Sequence, residues 1–67
     1  MNHPVNDKNF DMVSTLYHAS QGVQLSQQFS QDAKEKSDQE AQAFFDRVTQ
    51  HYEDIADEAR KLLKQTL

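Results

Sequence analysis

No cysteine and no tryptophan occur among the 67 residues, and glycine and proline appear once each, as Gly22 and Pro4. The missing cysteine removes disulfides and thiolate metal sites. The scarcity of glycine and proline removes the turn residues that a strand-rich fold needs, so the chain should be nearly all helix. No stretch approaches the ~18 apolar residues of a membrane span, and Met1 to Asp7 has neither the basic nor the apolar segment of a secretory signal. A cytoplasmic protein with no membrane partner is the expectation. Cations are also few: seven Lys and Arg face eleven Asp and Glu, a net charge of −4, and only Arg60, Lys61 and Lys64 cluster. Nucleic-acid phosphates call for a contiguous basic patch, so nucleic acid is not an expected partner.

What the chain does have is helical periodicity. Ala41, Phe45, Val48, Tyr52, Ile55, Ala59, Leu62 and Thr66 alternate four and three apart, which places them on one face of a long helix. Phe44, Leu63 and Leu67 flank this seam and widen it. Upstream, Met12, Leu16, Ala19, Val23, Ser26, Ser30 and Ala33 share a face of a first helix, with Phe10, Val13 and Tyr17 on one side of it and Phe29 on the other. Leu25 and Phe29 thus lie on a different side of that helix from Val13 and Tyr17. The first seam is poor in bulk, which allows close approach of a second helix. Gly22 inside it costs about 1 kcal/mol relative to alanine, a cost either tolerated or offset by close packing.

The apolar period stops between Asp32 and Glu40, where charge replaces it. Ser37 followed by Glu40 fits a capping box, the hydroxyl accepting from the Glu40 amide. At the other end, Asn6, Asp7 or Asn9 can cap the first helix. The expected organisation is a tail over 1–8 and one domain over 9–67, with helices at about 9–34 and 38–66 joined as an antiparallel hairpin.

A single domain of this size usually needs a disulfide, a metal or a second subunit to offset the backbone entropy of folding, roughly 1–2 kcal/mol per residue. The widened stripe of the second helix exceeds what one facing helix covers. Two hairpins packed face to face give a four-helix bundle, expected as a homodimer. The residues expected at the core or dimer interface are Leu16, Tyr17, Val23, Phe45, Val48, Tyr52, Ile55 and Leu62.

Reactive constellations are sparse. There is no Gly-x-Ser-x-Gly turn, and no nucleophile–base pair is set apart from the common serines and acids. The expectation is a protein that is not an enzyme and takes no cofactor. It self-associates and binds another protein. The alternative is an unconventional iron or manganese site built from His51, Glu53, Asp54 or His18, because His51 and Asp54 stand three apart on one helix. His3 lies in the tail and invites no site. The acids Asp46, Glu53, Asp54, Asp57 and Glu58 read as a solvated face, with Asp57 able to pair with Lys61. Gln24, Gln27 and Gln31 read as a solvated edge.

The run from Ser14 to Gly22, the stretch Phe29 to Ala33, the Ser37-Asp38-Gln39-Glu40 turn and Phe44-Phe45 together resemble small ferritin-like, rubrerythrin-like proteins over about Phe10 to Leu63. The resemblance implies a four-helix bundle made by duplicating or dimerising a hairpin. It also implies metal ligands from a Glu on the first helix and a Glu-x-x-His on the second. Aligned through Phe44-Phe45, those positions hold Gly22 or Gln24, then Tyr52 and Ile55. The chain contains no Glu-x-x-His anywhere. What the resemblance implies here is therefore a bundle that has lost its metal, and ferroxidase, peroxidase or iron-storage activity does not carry over.

Overall fold

The computed structural model describes residues 7–66. Two helices, α1 (Asp7–Glu35) and α2 (Gln39–Thr66), pack against each other along their length as an antiparallel hairpin. The Cα envelope measures 49 × 24 × 12 Å, a slab one helix thick. Against an expected start at residue 9, α1 begins at Asp7, which puts Asn9 inside the helix and removes it as the cap. Asn6, Pro4, His3 and Leu67 lie outside the described residues.

The helices meet on small side chains. Ala19, Ser26, Ser30 and Ala33 of α1 and Ala56 and Ala59 of α2 are buried, whereas no large side chain is completely so. Spacings of seven, four and three keep the α1 set on one stripe. Two polar contacts fix the register. The hydroxyls of Ser26 and Thr49 share a hydrogen bond of 2.6 Å, and whichever donates, the other can give its proton to a carbonyl of its own helix, Gly22 at 2.7 Å or Phe45 at 3.0 Å. Ser30 Oγ donates to Asp46 Oδ1 at 2.6 Å. These pairings run antiparallel and, carried two turns along, bring Ala19 opposite Ala56. Among the described residues no buried side-chain nitrogen or oxygen lacks a partner.

The connection departs from the expected capping box. Ser37 adopts φ 58°, the left-handed region, and closes α1 in a Schellman motif. The Asp38 amide donates to the Ala33 carbonyl at 2.9 Å and the Ser37 amide to the Lys34 carbonyl at 3.0 Å. An N-cap residue needs extended backbone, so Ser37 cannot cap α2. Asp38 does so instead, its Oδ1 accepting from the Ala41 amide at 3.1 Å. The left-handed conformation costs an L side chain roughly 1 kcal/mol, and glycine adopts it without that penalty. Ser37→Gly should therefore raise stability by about 0.5–1 kcal/mol, read as a higher urea midpoint. A lower midpoint would mean that the serine side chain contributes more than its backbone strain.

Gly22 is explained by close approach. A Cβ at this position would lie 2.6–2.7 Å from Cδ1, Cδ2 and Cε1 of Tyr52. The phenol ring thus rests flat on the glycine, and the ring, not a flexible chain end, is what would have to move. Gly22→Ala should lower stability by about 1 kcal/mol, because overpacking outweighs the gain in helix propensity. In a Tyr52→Ala background the same change should raise stability by about 1 kcal/mol. A double-mutant cycle in urea reads the coupling. The same sign in both backgrounds would refute the contact.

Candidate association surface

The small-residue seam divides the slab into two unlike faces. On one, Leu25 and Phe29 of α1 stand beside Phe44, Val48, Tyr52, Ile55 and Leu62 of α2. Leu25 is 55% exposed, Phe44 50% and Ile55 44%, values that describe a surface and not a core. Three grooves run end to end along this face. The first, near the turn, lies among Leu25, Phe29, Phe44, Phe45, Val48 and Tyr52. The second shares Gly22, Leu25 and Tyr52 with it and continues to Thr15, His18 and Ile55. The third shares Thr15 and Ile55 with the second and ends at Met12, Glu58, Ala59 and Leu62. The apolar surface is therefore continuous over both helices.

Aromatic contacts hold the turn end in shape. Phe45 receives Phe29 at 5.5 Å between ring centroids and Phe44 at 5.1 Å, both edge to face. Such pairs contribute about 0.5–1.5 kcal/mol beyond their buried area. With Phe45 half-buried between the helices, Phe29 and Phe44 are set on either side of the groove.

The opposite face is polar. Its groove is lined by Ser20, Val23, Gln24, Gln50, Glu53, Ala56, Asp57 and Arg60. Arg60 Nη1 donates to Asp57 Oδ1 at 2.8 Å, so Asp57 pairs one turn on with Arg60 and not with Lys61. The pair is solvent-exposed and contributes little to stability. Gln24, Gln27 and Gln31 are exposed, as a solvated edge requires.

The expected interface residues fall into three groups. Tyr52, Ile55 and Leu62 stand on the apolar face, and Val48 and Phe45 form its half-buried floor. Leu16 and Val23 are half-buried at the helix contact, with Val23 on its polar side. Tyr17 is set apart, 58% exposed on the outer side of α1, where its phenol oxygen accepts from Gln21 Nε2 at 3.0 Å. Leu25, Phe29 and Phe44 belong with the apolar face although the expected interface set omits them. Their signal is the i,i+4 pair Leu25–Phe29, which the antiparallel turn brings opposite Phe44.

His51 and Asp54, three apart on α2, are both exposed, and Asp54 Oδ1 accepts from Gln50 Nε2 at 3.0 Å. Among the described residues no three His, Asp or Glu side chains converge on a common point. No helix of the described residues is long and apolar enough to cross a membrane. No family model, curated protein or solved structure matches the chain.

Proposed function

We propose that the protein is a non-catalytic association module, in which two copies close their apolar faces on each other as a four-helix bundle that recognises another protein. One observation carries this reading: the continuous bare face of Leu25, Phe29, Phe44, Val48, Tyr52, Ile55 and Leu62. Large contiguous apolar patches on a small protein mark interaction sites.

Size supports a second copy as the occupant. Two helices about 10 Å wide and 28 residues long present a face of roughly 20 × 42 Å, about 800 Å², which is the area each partner buries in a standard interface. No Asp, Glu, Lys or Arg lines the two grooves that run from Phe44 to Ile55, so a copy of this acidic chain can dock there without like-charge contact, and Glu58 enters only the third. In this reading the bundle is ferritin-like, with Tyr52 and Gly22 stacked at its centre where that group carries ligands.

Sedimentation between about 1 and 100 µM, together with elemental analysis after growth with iron, manganese and zinc, tests the proposal. The expected result is a helical, metal-free species of twice the chain mass. A folded monomer at micromolar concentration would overturn it. One or two metals per dimer, lost on substituting His51 or Asp54, would replace it with the metal-binding alternative.

A further inference from the structure

One histidine lines a groove of the apolar face near its middle; His51 stands four residues before Ile55 on the outer edge of the α2 stripe and lines none of the three grooves. His18 lines the central groove with Thr15, Leu25, Tyr52 and Ile55, and no carboxylate lines that groove. It stands one turn before Gly22, close to the midpoint of α1, and Tyr52 sits at the midpoint of α2. Two faces that overlap fully must place their two-fold axis through this region. That holds for hairpins whose turns lie at opposite ends, with the axis in the plane of contact and across the helices, and for turns at the same end, with the axis in that plane and along the bundle. Residues close to a two-fold axis meet their own copies. Association therefore covers His18 with apolar surface and brings it towards the His18 of the second copy.

We infer that protonation of His18 governs self-association: the dimer forms with both imidazoles neutral and separates on mild acidification. The inference rests on the reading of this face as the self-association surface. On its own helix, Tyr17 packs edge-on against the imidazole, with ring centroids 5.4 Å apart at 71°, and Ser14 and Gln21 are uncharged neighbours. From α2 come Tyr52 and Ile55, while Glu58 lines the adjoining groove with Met12 and Leu62. His18 is not in an ion pair with Glu58 or any other described acid.

The sign follows from solvation. Covering an imidazole with apolar surface disfavours its charged form, and two cations across an axis repel. The separated chains then bind more protons than the dimer, so acid favours separation. Histidine in water titrates near 6.5. Lowering the pH from 7.5 to 5.5 should weaken association about tenfold for each histidine, or up to about a hundredfold per dimer.

The test is the dissociation constant from sedimentation at pH 7.5 and 5.5 and fixed ionic strength, for the wild-type chain, His18→Gln and His51→Gln. The wild type and His51→Gln should weaken up to about a hundredfold in acid, while His18→Gln should dimerise at pH 7.5 and lose most of the response. Should His18→Gln fail to associate, His18→Leu supplies the same uncharged control. Equal dissociation constants at both pH values, or an undiminished response in His18→Gln, would overturn the inference and leave the dimer standing. Absence of a dimer at either pH would remove the underlying reading, and this inference with it.

Discussion

Ile55→Asp should convert a species of two chains into one and remove most of its helical circular dichroism. Within the hairpin alone Ile55 is 44% exposed, and a substitution at such a position normally changes stability by no more than about 0.5 kcal/mol. Closed against a second copy, the same side chain lies in an apolar interior. A carboxylate there has no cationic partner, and an uncompensated buried charge costs about 3–5 kcal/mol. Two such carboxylates enter each dimer, so the dissociation constant should rise at least a thousandfold. The surface and interior roles of Ile55 thus predict outcomes far enough apart for one sedimentation run to decide. Unchanged mass and helicity would show that the apolar face is not where the chains meet.

Ala56→Leu should lower stability by about 3 kcal/mol. Ala56 is 4% exposed and falls opposite Ala19 in the register set by Ser26–Thr49 and Ser30–Asp46. An isobutyl group does not fit between two alanines in contact, and the groove that Ala56 borders offers it mostly polar neighbours, Gln24, Glu53 and Arg60 among them. The helices must separate locally, stretching the 2.6 Å hydrogen bond two turns away or tilting about it. For a chain of this length such a loss lowers the melting midpoint by roughly 10–20 °C. Leu at the exposed Ala43 supplies the control, since it adds the same bulk where nothing opposes it. Equal midpoints for the two variants would mean that the helices do not touch at Ala56.

The hairpin is legible in the sequence because its signals are redundant. The four-three spacing from Ala41 to Thr66, the charged interval from Asp32 to Glu40 and the missing turn residues all point one way, and both helix ends at the connection fall within a residue of expectation. The direction of packing is harder to read. Periodicity weighted by bulk centres the α2 seam on Val48, Ile55 and Leu62. The helices in fact approach on Ala56, Ala59 and Thr49, because the smallest residues allow the closest contact. The heavy residues are displaced to one side, which is why the stripe looks too wide for one partner helix.

The turn misleads for a different reason. Ser37 and Glu40 have the spacing of a capping box, and sequence gives no warning that Ser37 is already committed to a left-handed conformation that closes α1. Asp38, one residue later, has the right side chain for a cap and takes that place. Tyr17 illustrates a third limit. It is periodic with Val13 and Ser20, yet α1 bears apolar residues on several sides, and periodicity alone does not rank them.

A slab 12 Å thick has a perimeter but almost no inside, and this changes what abundance means for such a protein. Where a globular monomer keeps its shape on dilution, two alanine-lined helices paired as proposed would draw much of their free energy from the copy laid over them. Under that proposal the folded population would follow mass action, growing with the square of the chain concentration at the dilute end. Synthesis rate and volume would then become structural variables. Halving the number of chains in a cell would remove more than half of the folded ones.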